Sequence, residues 1–412
     1  MELNTFLDAK PLYYKEIDHK RVHTAYAMLK PHIRRPQTIH VVGTNGKGST
    51  GRMIAYLAWR QGVRSEEVGS RSEHKVKIQN SSTRLSIGHY TSPHILKFNE
   101  RIWVDGVDVS DEVLEEAHQR LYAILGQEMS EALSYFEYTT LLAFVVFEEC
   151  GLMVLEAGLG GEFDATNVCD KELSVITPIG IDHQAFLGEH IEEIAATKIR
   201  SIQKKALLAP QPYSEVVEVA RKIASDVGAT LVVAHPAQQD EEGTHEGHPY
   251  KLQEIARAKG WPDYLVDNAA VAIQALELLD IPYDIDDLYD LELFGRFYPI
   301  RPNIRIDVGH NPLAAEAIVK AMAPDTVLIY NSLDDKDYEE VLRILKPKLK
   351  RVEIIKIDSQ RATTLDAIEN ALDRVGLPYK IFDGTIDKEE HYLVFGSFYT
   401  VEAFLKTVGF QK

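Results

Sequence analysis

The stretch Val41–Thr50, VVGTNGKGST, ends an apolar run in glycine and then sets Lys47 between Gly46 and Gly48, ahead of Ser49 and Thr50. Glycine lets a backbone bend around a chain of phosphates and turn its N–H groups inward. The lysine neutralises phosphate charge, and a hydroxyl opening a helix can reach a phosphate-bound Mg²⁺. The spacing is not that of the common P-loop. Two residues, not four, separate Gly43 from Gly46, and Gly48 stands between Lys47 and Ser49. A plain glycine turn has no use for lysine and serine together at a helix start.

Further polar residues lie just past the ends of apolar runs, where open α/β sheets bind ligands. Glu156 follows LMVL, His183 follows VITPIGID, and Ser92 lies in HYTSPHI. A carboxylate and hydroxyls are hard oxygen donors that suit Mg²⁺, and a histidine would also suit Mn²⁺. Each residue alone reads as a cap or a loop residue; their shared placement draws attention. Lys198 falls on the apolar stripe of Ile191, Ile194, Ala195, Ile199 and Ile202. From the residues alone, a lysine there packs its stem and reaches water with its head; the other reading is a desolvated amine ready for chemistry. Ser134 and Glu137 have the spacing of a helix capping box, while Tyr135, Phe136 and Tyr138 could line a pocket for a flat ring. Near the other end, RIDVGHNP places Asp307 at a strand end, with His310 and Asn311 ahead of a helix from Pro312.

The elements that would hold these residues read as α/β. Short β-branched runs alternate with amphipathic stretches, predicting a mainly parallel sheet. Thr38–Val42 reads as a strand, STGRMIAYLAWRQG as a helix, and HIEEIAATKIRSIQK as another. LMVLEAG, LSVITPIGI, ALLAP and ATLVVA add strands, and DTVLIYNSL, RVEIIKI and HYLVFGSFY repeat the theme. The chain has 412 residues, too many for one ordinary core. The boundary falls in Leu293–Asn303, rich in Gly, Pro and aromatics, with Arg296 in the hinge. Arg64–Arg84 reads as an exposed polar loop, and His235–Lys251 as an acidic loop whose three histidines lack zinc-site spacing.

Composition narrows the class. No apolar run nears the roughly 20 residues of a membrane span, and the N-terminus lacks a secretory pattern. Two cysteines, Cys150 and Cys169, give no disulfide framework, so a reducing cytoplasm is expected. A net charge of −18 argues against nucleic acid or an anionic membrane as partner. It also means that positive charge for an anionic ligand must be gathered locally.

Together these segments resemble the folylpolyglutamate synthase and dihydrofolate synthase family, within the Mur ligase superfamily. The matching stretches include GTNGKGST, TSPHILKFNERI, YFEYTT, EAGLGGEFDATN, IGIDHQAFLG, DNAAVAIQAL, GRF, DVGHNP, DKD and GSFYTVEAF, in family order from about residue 12 onward. The resemblance implies a P-loop ATPase-like domain over 1–295 and a smaller Rossmann-like glutamate ligase domain over 296–412. It assigns Asn45, Gly46, Lys47, Gly48, Asn268, Arg296, Asp307 and His310 to ATP. Ser49, Ser92, Glu156, His183 and a carbamylated Lys198 are assigned to two Mg²⁺ ions, with Lys47, Lys198 and His183 as the catalytic set. Phe136, Glu137 and Asp164 fall where a pterin binds in relatives. The implied reaction forms an acyl phosphate on dihydropteroate or a folate and then an amide with L-glutamate, in a cytoplasmic monomer. Glu162 stands where relatives often carry Arg, and TKIRSI replaces the usual surroundings of the modified lysine. A peptidoglycan Mur ligase would carry a further domain ahead of the loop, and only 42 residues precede Gly43. A non-catalytic nucleotide-binding module would not need Ser49, Glu156, His183 and Lys198 together, and a monofunctional family member is the nearer alternative.

Overall fold

The computed structural model describes residues 2–10, 18, 20–71, 86–235 and 248–410. They form two compact units. The larger comprises Met1–Ile179, Leu187–Leu252 and Asn268–Leu291; the smaller comprises Gly180–Phe186, Gln253–Asp267 and Glu292–Lys412.

The larger unit is built on eight strands: β1 (Gln37–Val42), β2 (Ile87–Tyr90), β3 (Ile102–Val104), β4 (Val107–Asp108), β5 (Leu152–Glu156), β6 (Leu173–Ile176), β7 (Lys205–Leu208) and β8 (Thr230–Val233). Their order is β4-β3-β2-β5-β1-β6-β7-β8. Pairing is parallel from β2 to β8, and β3 and β4 add antiparallel edge strands. β1 and β5 are buried on both faces because helices cover both, β5 with apolar residues up to Leu155 and β1 with Thr38 and His40 among them. On one face the Asp111–Ala132 and Tyr135–Val146 helices pack Leu121, Leu141 and Phe144 with Tyr90 and Leu155 into one core. Another core joins the Ile191–Ile199 and Ser214–Val227 helices, through Ile194, Ile199, Val216 and Ala220, to Ile176 and Leu208. The Lys47–Arg71 helix packs on β1, β2 and β5.

The smaller unit holds β9 (Tyr298–Arg301), β10 (Ile304–Ile306), β11 (Thr326–Tyr330), β12 (Leu349–Ile354), β13 (Tyr379–Ile381) and β14 (Tyr392–Phe395), ordered β13-β12-β11-β14-β10-β9. Only β9 runs antiparallel to its neighbour. The fold is thus α/β with a mainly parallel sheet and a second, smaller α/β sheet.

Three sequence expectations change. The polar segment from Arg64 is helical as far as Arg71, since helix-compatible residues without proline do not end a helix by being polar; its remainder lies outside the described residues. Residues 236–247 of the acidic segment also lie outside them, and His248 opens the His248–Lys259 helix. The helix expected over His190–Lys204 stops at Ile199, where the Ser201 hydroxyl bonds the Lys198 carbonyl at 2.9 Å. Among the described residues no helix is long and apolar enough to cross a membrane.

Candidate active site

The phosphate-type loop follows directly from where β1 ends. Its Gly43 sits at φ +148°, and a Cβ there would run into the Thr177 hydroxyl, so only glycine lets β1 turn so close to β6. The amides of Thr44 and Asn45 donate to the Pro178 carbonyl at 2.9 and 3.1 Å, which fixes the loop's mouth. Gly46, Lys47 and Gly48 then lead into the helix. N–H groups of a first helical turn have no intrahelical acceptor, and with the helix dipole they favour an anion. The Lys47 ammonium meanwhile donates to the Thr44 carbonyl at 3.2 Å. Ser49 Oγ donates to the Gly46 carbonyl and accepts from Asn268 Nδ2 at 2.8 Å, so Asn268 orients the hydroxyl assigned to a metal.

Parallel pairing of β2 with β5 brings two further candidates together. Glu156 is buried at the end of β5, and its Oε2 accepts the Thr91 hydroxyl in a close contact and the Ser92 amide at 3.3 Å. Lys198 is 4% exposed, and its Nζ donates to the Gly43 carbonyl at 3.0 Å. The reading in which its head reaches water is therefore wrong. The helix ends one residue later, and the stripe carries the whole side chain under the phosphate-type loop. Among the described residues no group of three or more His, Cys, Asp or Glu side chains converges as a metal cage. The donors that do converge are mixed: Ser92 beside Glu156, and Ser49 and Lys198 at the loop. The Ser49, Ser92 and Glu156 oxygens would fit a Mg²⁺ completed by phosphate and water, whereas Lys198 as a plain amine supplies no oxygen.

Beside them runs the loop Gly158–Val168. Asp164 is buried in it; Oδ1 accepts from the Thr166 amide and hydroxyl at 2.9 and 2.6 Å, and Oδ2 from the Leu159 amide at 2.8 Å. Burial pushes this carboxyl up in pKa against those hydrogen bonds. Its first work is to shape the loop. The Phe136 ring lies against Gly158, where a Cβ would collide with it, and 5.9 Å from the Tyr90 ring. Glu137 follows its capping reading: Ser134 Oγ accepts from the Glu137 amide, and Glu137 Oε2 accepts from the Ser134 amide. The same oxygen takes both the Nε and Nη2 of Arg21, at 3.0 and 2.7 Å. Glu162 pairs with Arg200 at 3.3 Å.

The smaller unit gathers a different set. Asp182 Oδ1 accepts from Lys336 Nζ at 2.6 Å and from the His183 amide at 2.8 Å, and Oδ2 accepts from Asn311 Nδ2 at 3.1 Å. His183, at φ +55°, has Nε2 3.4 Å from Lys336 Nζ, and His310 Nε2 lies 3.7 Å from Asp182. Burial would raise the Asp182 carboxyl, but His183, His310 and Lys336 outweigh it and hold it well below the usual range. Asp307 accepts from the Tyr264 hydroxyl at 2.6 Å and from the Phe297 and Gly309 amides at 2.8 Å each. Burial raises its pKa too. Arg296 lies over the Phe398 ring at 5.5 Å.

The sequence-predicted residues therefore fall in two groups. Asn45, Gly46, Lys47, Gly48, Ser49, Ser92, Phe136, Glu137, Glu156, Asp164, Lys198 and Asn268 belong to the larger unit, and His183, Arg296, Asp307 and His310 to the smaller. Thr91, Arg21, Asp182, Tyr264 and Lys336 were missed. Thr91 and Asp182, directly ahead of Ser92 and His183, could have been flagged from local sequence; Arg21 and Lys336 lie 116 and 153 or more residues from the groups they serve.

No protein-family model matches the chain. A curated relative, the dihydrofolate synthase/folylpolyglutamate synthase of Haemophilus influenzae, is 29% identical over 421 residues, covering 90% of this chain and 89% of its own. The solved bifunctional folylpolyglutamate synthase/dihydrofolate synthase of Yersinia pestis, complexed with AMPPNP and Mn ion, is 25% identical with a TM-score of 0.79, covering 98% and 97%. The solved Helicobacter pylori folylpolyglutamate synthetase has a TM-score of 0.75 and covers 99% of this chain and 98% of its own. Since that last match is 36% identical from end to end, the chain belongs to the folylpolyglutamate synthase/dihydrofolate synthase family.

Proposed function

We propose that this chain is an ATP-dependent ligase that adds L-glutamate to dihydropteroate and to reduced folates through an acyl phosphate. The observation that carries the proposal is the end-to-end match to folylpolyglutamate synthetase together with the Gly43–Ser49 loop, in which buried Lys198 meets the Gly43 carbonyl. A carboxylate oxygen of the acceptor attacks the γ-phosphorus of ATP, ADP leaves, and an acyl phosphate forms. The neutral amine of glutamate then attacks the acyl carbon, the C–O bond to phosphate breaks, and the amine loses its second proton as the amide forms. The protein's part is positioning and charge.

Asn45, Gly46, Lys47 and Gly48 cradle the ATP phosphates, with Lys47 turning from the Thr44 carbonyl to a phosphate oxygen. Asn268, Arg296, Asp307 and His310 complete the nucleotide contacts. Ser49, Ser92, Glu156, His183 and a carbamylated Lys198 are the ligands for two divalent ions, which when bound neutralise charge on the transferred phosphate. Phe136 and the Asp164 loop form the pterin wall, while Glu137 acts on it as the Arg21-bound cap of its helix. We assign ATP binding to residues 1–295 and glutamate ligation to 296–412, and take the protein to act as a cytoplasmic monomer on small molecules alone.

A second reading is a dedicated folylpolyglutamate synthase, favoured by the Helicobacter pylori match, whose name carries that activity alone. Phosphate release from ATP, measured with glutamate plus either dihydropteroate or tetrahydrofolate, decides. Release with both acceptors is expected. Release with tetrahydrofolate alone selects the second reading, and release with neither refutes the ligase.

A further inference from the structure

Behind the Gly158–Val168 loop lies a lysine with no part in the chemistry above. Lys171 is 1% exposed. Among the described residues its ammonium has no carboxylate partner; it donates to Asn167 Oδ1 in a close contact and to the Ser201 carbonyl at 3.0 Å. Burial lowers its pKa to about 8, against the pull of Cys169, Asp170 and Asp164. Burying a cation on neutral oxygens is unfavourable, and an apolar side chain would fill the space at less cost. Its two acceptors suggest why a lysine stands there.

Asn167 belongs to the loop. Its Oδ1 takes Lys171 while its Nδ2 donates to the Glu162 carbonyl at 2.8 Å, so one amide braces the loop across its width. Ser201 closes the helix that carries Lys198, and its hydroxyl donates to the Lys198 carbonyl. Loop and helix also touch directly. The Glu162 amide donates to the Thr197 carbonyl at 2.8 Å, and Gly161 lies so close to the Lys198 carbonyl that a Cβ there would collide with it. From the other side, His40 Nε2 lies 2.8 Å from the Thr166 hydroxyl. That hydroxyl donates to Asp164, so the neutral imidazole is the donor to it. Lys171 thus bonds both the loop holding Asp164, through Asn167, and the end of the helix holding Lys198, through Ser201.

We propose that Lys171 is a positioning residue that sets the acceptor-binding loop against the Lys198 helix through Asn167 and Ser201. The proposal rests on the reading of that loop as the acceptor's wall. It predicts an effect on acceptor binding that leaves the nucleotide's binding alone. The test is steady-state kinetics of Lys171→Met, Asn167→Ala, the double variant and Asp164→Ala, with dihydropteroate as acceptor (or tetrahydrofolate if only that is turned over). Lys171→Met is expected to raise the acceptor KM about tenfold while the ATP KM stays within about twofold. Asn167→Ala should do the same, and the double variant no more than the larger single effect, because both break one path. Should Lys171→Met not fold, Asn167→Ala alone carries the decision. An unchanged acceptor KM in the folded variant, or an ATP KM rising in step with it, overturns the proposal, since general loosening would move both. If Asp164→Ala also leaves the acceptor KM unchanged, the reading of the loop has failed and the inference falls with it. If Asp164→Ala raises it and Lys171→Met does not, Lys171 alone was misread.

Discussion

Two groups of candidate residues, one in each unit, are made of different materials. The corner after β1 is made of backbone. Glycine at 43 allows the turn, the amides of Thr44 and Asn45 hold to the Pro178 carbonyl, and Lys47 rests on its own loop. The group around Asp182 is made of side-chain charge: one carboxylate takes Lys336 and Asn311, with His183 and His310 beside it. Buried apolar strand ends precede both, Val41 and Val42 of β1 and Val175 and Ile176 of β6, so the difference lies in the loops. A backbone corner suits a repeating polyanion such as a phosphate chain, read by N–H groups and dipole. A charge cluster suits one or two discrete charges. In a protein with a net charge of −18, the first device is how an anion can be bound with few cations.

The comparison can be broken at several points. The largest effect is expected at Lys198, where the backbone corner meets a buried amine. Lys198→Ala should lower the rate of phosphate release by roughly two to three orders of magnitude; an unchanged rate would refute the carbamate role. Next comes the charge cluster. Lys336→Met leaves buried Asp182 short of its cation and should cost about 3 kcal/mol in urea unfolding, with Lys336→Met/Asp182→Asn costing less than the single change. A single variant as stable as the wild type would mean the cluster is not held by charge. The backbone corner should fail by shape instead: Gly43→Ala is expected to cost about 2 kcal/mol, from the strained φ and the contact with Thr177. Asn268→Ala frees the Ser49 hydroxyl and should lose about 1 kcal/mol of ATP binding, seen as a severalfold higher Kd by calorimetry.

The smallest effect is a pH dependence. His40 and His89 are held neutral well below the usual imidazole range by burial first, then by Lys171 and Arg52 respectively, and His94 is lowered to about 4 by burial and Arg101. The unfolded chain takes protons on these rings below about pH 6.5 while the folded chain does not, so stability falls as pH drops through that value. Each contributes a loss of roughly 0.8 kcal/mol by pH 6. His89→Leu should remove one of the three losses, measured as a flatter dependence of the urea midpoint between pH 7 and 5.5.

What the sequence could tell follows from the range of each interaction. The corner Gly43–Ser49 is local: strand, glycines, lysine and helix start come in chain order, so its turn from strand to helix was legible. So was the capping box of Ser134 and Glu137, three residues apart. Lys198 shows the limit. Its place on the apolar stripe was legible, but its depth was not, because that depends on the helix stopping at Ile199 and on the Gly43 carbonyl 155 residues away. The pairing of Arg21 with Glu137 and of Lys336 with Asp182 is set by topology alone, across 116 and 154 residues, and no periodicity signals it. Polar content also misled between Arg64 and Arg71, where the backbone remains helical.

The central claim is that a substrate carboxylate takes the γ-phosphoryl group before the amide forms. Acceptor labelled with ¹⁸O in that carboxylate tests it directly, by mass spectrometry of the phosphate released during glutamate addition. Transfer through an acyl phosphate puts one labelled oxygen into each phosphate. Phosphate that carries no label, released at the same rate as product, would contradict it.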